Sequence, residues 1–91
     1  MDPVAQAASK IIKEQQAIIG PVALDQAKKV AGLSINGEDI KVTGNKKETL
    51  DKLVKQFEKL FGKASVQVCK EAFSSYAEKI APSDIPDILK N

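Results

Sequence analysis

The sequence predicts a mainly α-helical fold, a compact bundle of four to five helices within one domain over residues 1–91. Apolar residues recur at helical spacing through most of the chain, and Gly or Pro separates the periodic segments. A composition of 43% hydrophobic and 29% charged residues is typical of a globular domain. Residues 34–45 lack the helical period and predict a short hairpin or an ordered loop.

The first helix is predicted from Val4 to Ile19, where apolar side chains recur every three or four residues. It should end at Gly20-Pro21, because Pro has no N–H and disfavours helical backbone in the residue before it. Pro also suits the first position of a helix, so Pro21 should open a second helix that closes at Gly32 or Leu33.

The segment at 34–45 contains two signals for β structure. Asn36-Gly37 is a type I′ turn signal, and the stretch Ile40-Lys41-Val42-Thr43 alternates as a strand does. Both a hairpin and an ordered loop fit this pattern.

The third helix follows Gly44 and ends at Gly62, with either Asn45, paired with Glu48, or Thr49 as its N-cap. Its predicted core face consists of Leu50, Leu53, Val54, Phe57, Leu60 and Phe61.

The fourth helix is predicted from Lys63 to Ile80 and should stop at Pro82. Its apolar stripe consists of Val66, Cys69, Phe73, Tyr76 and Ile80. A cap at Ser83-Asp84-Ile85-Pro86 should then lead into a short terminal turn, which packs Ile85, Ile88 and Leu89 on the core.

The residue types limit the chemistry that the chain can perform. It has no His, no Arg and no Trp, and it has a single Cys. Enzymes near neutral pH rely on His for proton transfer, and zinc sites need several His or Cys ligands. We therefore expect no enzyme activity, no cofactor and no metal site. Cys69 lies on the apolar stripe of the fourth helix and should be a buried, unreactive thiol.

Lysines recur along the third helix. Lys52, Lys55, Lys59 and Lys63 follow spacings of three, four and four residues, which places four ammonium groups on one face. This row could bind phosphate groups or an acidic partner. The favoured interpretation is a solvated helix face, stabilised by the pairs Glu48–Lys52 and Asp51–Lys55. A net charge of +2 and the absence of Arg disfavour a dedicated nucleic-acid or membrane-surface binder.

We expect the functional surface where the third helix meets residues 34–45, because binding residues gather on loops held by a rigid scaffold. The candidate interaction residues are Glu38, Asp39, Lys41, Thr43, Lys52, Lys55, Lys59 and Lys63. The alternative is that residues 34–45 only cap the bundle and fill a gap between the second and third helices.

The chain begins Met1-Asp2-Pro3 without a basic stretch followed by an apolar run, and no run of about 18 residues is apolar throughout. The sequence therefore predicts a cytoplasmic protein with no signal peptide and no membrane span.

The stretch Ile19-Gly20-Pro21-Val22-Ala23, between two amphipathic helices, resembles small helical modules at the C-termini of bacterial signalling proteins, including kinases and response regulators. In those modules an Ile-Gly-Pro-Ile/Val-Ala sequence likewise joins two helices. The resemblance implies a regulatory or interaction role and transfers no active-site residue; the insert at 34–45 departs from the pattern.

These observations favour a non-catalytic protein–protein interaction or regulatory domain, associated with signalling, which binds a protein partner or a second copy of itself. The alternative hypothesis is a nucleic-acid-associated helical protein that uses the lysine row of the third helix.

Overall fold

The computed structural model describes residues 2–37 and 39–90 and confirms the mainly helical class. Its helices and strands are α1 (Pro3–Ile19), α2 (Val22–Ala27), β1 (Leu33–Asn36), β2 (Asp39–Val42), α3 (Lys46–Phe61) and α4 (Lys63–Ser74). Three 3₁₀ turns follow, at Ala77–Lys79, Pro82–Asp84 and Asp87–Leu89. Within these described residues, no helix is long and apolar enough to cross a membrane.

Helix α1 ends at Ile19 as predicted and begins at Pro3, one residue before the predicted start. The Val4 N–H donates a hydrogen bond of 3.0 Å to Asp2 Oδ1, which caps the helix. At the other end Gly20 has a φ of 80°, and its N–H donates to the Gln16 carbonyl at 2.9 Å. Pro21 then prevents the helix from continuing. Gly20-Pro21 is therefore a sharp junction between α1 and α2.

Helix α2 is shorter than predicted, because it ends at Ala27 instead of near Gly32. The N–H groups of Lys29 and Val30 donate to carbonyls three residues back, so the helix tightens and then unwinds. Leu33 already pairs with a residue of β2 in the hairpin. The chain must therefore leave the helix early enough to turn into the strand.

The segment at 34–45 forms the hairpin. Its two strands are antiparallel, with Asn36 opposite Asp39, so Asn36 belongs to the first strand and the chain turns after it. This is one residue later than the predicted Asn36-Gly37 turn. Gly37 adopts a φ of 63°, which favours glycine. Glu38 lies outside the described residues.

Helix α3 uses Asn45 as its cap, since Asn45 Oδ1 accepts a hydrogen bond of 2.9 Å from the Glu48 N–H. The helix ends at Gly62, whose φ is 82°. Four residues of the predicted core face are buried, namely Leu50, Leu53, Val54 and Phe57. The last two, Leu60 and Phe61, are exposed, which corrects the prediction.

Helix α4 ends at Ser74, and not at Ile80 as predicted. Ser74 Oγ donates to the Glu71 carbonyl at 2.7 Å, and the Tyr76 N–H donates to the Phe73 carbonyl at 2.8 Å. These bonds span three residues and replace the regular helical pattern. Pro82 is therefore not the residue that ends the helix, although Ile80 still reaches the core.

The terminal segment packs on the core as predicted. Leu89 is buried, and Ile85 and Ile88 are partly buried against the core cluster. The segment forms two 3₁₀ turns in place of one terminal turn.

The core lies between α1, α3 and α4. Gln15 Nε2 donates to the Ser65 carbonyl at 3.1 Å, and Lys10 Nζ to Ser75 Oγ at 2.8 Å, so α1 and α4 run antiparallel. The hairpin packs mainly on α1, with Ile40 buried between them. The two helix junctions, at Gly20-Pro21 and at Gly62, consequently lie at the same end of the bundle.

Candidate interaction surface

The predicted surface residues fall into two groups. Asp39, Lys41 and Thr43 are exposed on the hairpin, which rests on α1, whereas the lysines lie on α3. Lys41 Nζ lies 4.0 Å from Asp39 Oδ2, and both side chains are largely exposed. Such an exposed pair contributes little to stability. Asp39 and Lys41 also line a depression of about 320 Å³ between the hairpin and α1, together with Asp2, Ala5, Ile40 and Val42.

Lys63 does not belong to the lysine row of α3. Gly62, with a φ of 82°, interrupts the helix, and Lys63 is the first residue of α4. Three of the four lysines predicted to share one face of the third helix therefore lie on α3, and the fourth lies beyond the junction.

The three α3 lysines meet a fourth lysine that the sequence analysis did not single out. Lys29, Lys52, Lys55 and Lys59 line one depression of about 400 Å³ between α3 and the turn after α2. Its remaining lining is Val30, Ala31 and Gln56, with no carboxylate. We call the four lysines the lysine groove. No local signal identifies Lys29 as a member, because only the packing of α2 on α3 brings it there.

Most of this positive charge is uncompensated. Lys55 Nζ lies 2.9 Å from Asp51 Oδ2, which is one of the two predicted pairs. The other predicted pair, Glu48 with Lys52, is not formed in the part of the chain that the structure describes. Over residues 2–37 and 39–90, the other three lysines of the groove have no carboxylate partner.

A side-chain hydrogen bond holds the two walls of the groove together. Gln56 Nε2 donates to Gln26 Oε1 at 2.8 Å, and both side chains are partly buried. This bond connects α2 to α3 beside the lysines. The groove is therefore built on packed helices and does not depend on a loose loop.

A second feature is a set of exposed apolar side chains. Four large apolar side chains are exposed in the described residues: Ile18 (63%), Val22 (37%), Leu60 (47%) and Phe61 (38%). We call these four residues the junction patch, because they flank Gly20-Pro21 and Gly62. Large apolar side chains that cluster on a surface typically mark an interaction site.

The antiparallel packing of the helices gathers these side chains at one end. Gln26 bonds Gln56, and Gly32 lies against Thr49, so α2 and its following turn run antiparallel to α3. Val22 therefore lies towards the end of α3 that carries Leu60 and Phe61. The antiparallel packing of α1 on α4 brings Ile18 to the same end.

The groove and the patch are continuous along α3. Lys52, Gln56 and Leu60 are spaced four residues apart and thus share one face of the helix. Lys59 lines the groove and directly precedes Leu60. One surface therefore carries positive charge along its length and apolar side chains at its end.

Cys69 lies in the core as predicted, with no exposed surface. Gln15 Nε2 lies 3.5 Å from its Sγ. Burial raises the pKa of the thiol from 9.0 to about 11, against the smaller, lowering effect of the hydrogen bond from Gln15. The thiol is therefore protonated at neutral pH and is a poor nucleophile.

We expect Cys69 to react slowly with a bulky thiol reagent until denaturant is added, and Cys69→Ala to cost on the order of 1 kcal/mol.

Because the pKa of the Cys69 thiol is raised in the folded state, the stability that the protonated thiol contributes is complete below pH 9 and falls as the pH rises through 11. The loss should reach on the order of 2 kcal/mol. Urea unfolding of the natural chain and Cys69→Ala at several pH values isolates this effect. Rapid stoichiometric labelling of the native chain would contradict the core position.

Within residues 2–37 and 39–90, no group of three or more His, Cys, Asp or Glu side chains is arranged to hold a metal ion.

No family model matches the chain, and neither a curated protein nor a solved structure matches it significantly. The resemblance of Ile19–Ala23 to signalling modules therefore stays a prediction.

Proposed function

We propose that this chain is a non-catalytic protein-interaction domain that contacts its partner through the junction patch. The observation that carries the proposal is the exposure of four large apolar side chains at one end of the bundle. Leu60 and Phe61 continue an apolar stripe whose earlier members are fully buried. A partner that covers the exposed end of this stripe removes apolar surface from water, which lowers the free energy.

A regulatory role in signalling is the finer part of this proposal. It is supported by the position of the Gly20-Pro21 junction, whose neighbour Val22 is part of the patch. The stretch that resembles the signalling modules therefore contributes directly to the surface that we propose for binding.

The test is site-specific photo-crosslinking in the native cell. A benzophenone side chain at Leu60 should crosslink a protein that mass spectrometry identifies, and Ile18→Ser should reduce this yield by about tenfold, because a central apolar contact is lost. Stability should change little for Ile18→Ser, since that side chain is already 63% exposed, and somewhat more at Leu60, which is 47% exposed.

Lys79 supplies the matched control position, since it is exposed in the turn after α4, away from the junctions. Equal crosslinking from Leu60 and Lys79 would overturn the proposal. A product of two copies of this chain would identify the partner as the chain itself.

A second candidate function is nucleic-acid binding, which the uncompensated charge of the lysine groove favours. It predicts affinity for mixed DNA and RNA that falls steeply with salt, with a logarithmic slope of about −3 for three or four phosphate contacts. The groove has neither Arg nor an aromatic side chain on which bases stack. We therefore expect negligible binding at physiological salt; tight binding that is lost in Lys52→Glu would favour the second function.

A further inference from the structure

We infer that the partner presents an acidic amphipathic helix, which lies along α3 with its carboxylates over the lysine groove and its apolar residues on the junction patch. This inference rests on the proposed function and names the chemistry of the partner. It follows because the lysine groove, which is positively charged, is continuous with the junction patch, which is apolar.

The sign of the charge comes from the groove. Its lining holds four lysines and no carboxylate, and three of these lysines have no ion-pair partner among the described residues. Another depression beside α3, lined by Lys47, Glu48, Asp51 and Asp87 among others, carries both signs. An anionic partner over the lysine groove would gain attraction without displacing an existing pair, apart from that of Lys55.

The apolar part excludes a purely ionic ligand. A phosphate backbone would satisfy the lysines but leave Leu60 and Phe61 in water. A protein segment with acidic residues in one part and large apolar residues in another covers both surfaces at once. Electrostatic attraction then sets the orientation of the segment, and apolar burial supplies most of the affinity.

The shape favours a helix over an extended strand. The backbone groups of α3 are satisfied within the helix, so its surface offers no edge to which a strand could add. The row from Lys52 to Leu60 spans eight residues, about 12 Å at the helical rise. Side chains at i, i+4 and i+7 of a second helix span a similar distance and would meet the row.

The experiment is a selection from a displayed library of helix-forming peptides, randomised on one face, against the full chain. We expect enrichment of Asp and Glu over about two turns, followed by Leu, Ile or Phe in the next turn. Selection against Lys52→Glu/Lys59→Glu should lose the enrichment of Asp and Glu, because the lining of the groove then carries two positive and two negative side chains.

Binding of the selected peptides should weaken about tenfold in Lys52→Glu/Lys59→Glu and also in Ile18→Ser/Leu60→Ser. The matched control is Lys13→Glu/Lys79→Glu, which changes the net charge equally at exposed positions outside the groove and should leave affinity unchanged. Circular dichroism of each variant checks that the fold is retained.

Three outcomes would overturn the inference. The selected peptides show no enrichment of Asp and Glu, or neither double variant weakens peptide binding, or only the lysine variant weakens it. In the third case an oligothymidylate that binds equally well would identify the groove as a polyanion site. If Leu60 still crosslinks a protein while the peptides fail, only the inference fails and the proposed function stands. If crosslinking fails as well, both fail.

Discussion

Replacing Gly20 and Pro21 together by Ala should destroy the monomeric fold. The substitution removes both residues that end α1, so one continuous helix from Pro3 to Ala27 becomes favourable. Such a helix would pull Ala23 and Ala27, both fully buried, away from the core. The expected product is an unfolded chain or a swapped dimer, in which the long helix bridges two cores.

The magnitude follows from helix propensities. Relative to Ala, Gly costs about 1 kcal/mol inside a helix and Pro about 3 kcal/mol, so the double change favours the straight helix by roughly 4 kcal/mol. The total stability of a small domain is only about 5–15 kcal/mol. The native bend also becomes costlier, because Ala at position 20 would have to keep a φ of 80°.

Size-exclusion chromatography with light scattering, together with thermal unfolding by circular dichroism, measures both outcomes. The single variant Gly20→Ala is the control, because its Cβ would meet nothing within 4 Å and only backbone strain is added. Because φ of 80° with ψ of −159° is reached almost only by glycine, this variant should cost about 1–3 kcal/mol and leave a monomer. If the double variant remains a monomer with an unchanged thermal midpoint, the junction does not determine how α1 and α2 dock.

The helix boundaries that could be predicted are those with a local cause. Gly20-Pro21 and Gly62 end helices through their own backbone preferences, and Asn45 begins one through its own side chain. The end of α2 has no such cause. α2 stops because Leu33 pairs in the hairpin, which is a long-range contact that periodicity cannot reveal.

The same distinction applies to the candidate site. Periodicity identified Leu60 and Phe61 as part of an apolar face, but it could not show that their end of the face lies in the open. The lysine row on α3 was visible in the spacing, whereas Lys29 joins it only through tertiary packing. A sequence pattern shows which side of a helix is apolar, and only the packed structure shows which turns of it are covered.

Gly32→Ala should be the most damaging single substitution of a glycine in the described chain. Gly32 has a φ of 87°, and a Cβ there would overlap Thr49 Oγ1 and touch the Cα of Gly44 at 3.4 Å. Thr49 is buried in the first turn of α3. The Gly32 carbonyl also accepts bonds from the Thr43 and Gly44 N–H groups, so the base of the hairpin would move with it.

We expect Gly32→Ala to lower the free energy of unfolding by about 3 kcal/mol, from about 1–2 kcal/mol of backbone strain plus overpacking of similar size. Gly62→Ala is the control for backbone strain without overlap, because its φ of 82° also lies in the region that favours glycine and its Cβ would meet nothing within 4 Å. The control should therefore cost the strain alone. Urea unfolding with an unchanged slope measures both values.

A double-mutant cycle separates strain from overlap. Thr49→Ala removes the hydroxyl that the new Cβ would meet, so Gly32→Ala should cost less in that background, by about 1–2 kcal/mol. The strain part should remain, because it depends only on the backbone. Equal costs for Gly32→Ala in both backgrounds, or a cost no larger than that of Gly62→Ala, would show that the hairpin base and the start of α3 are not packed as tightly as the structure places them.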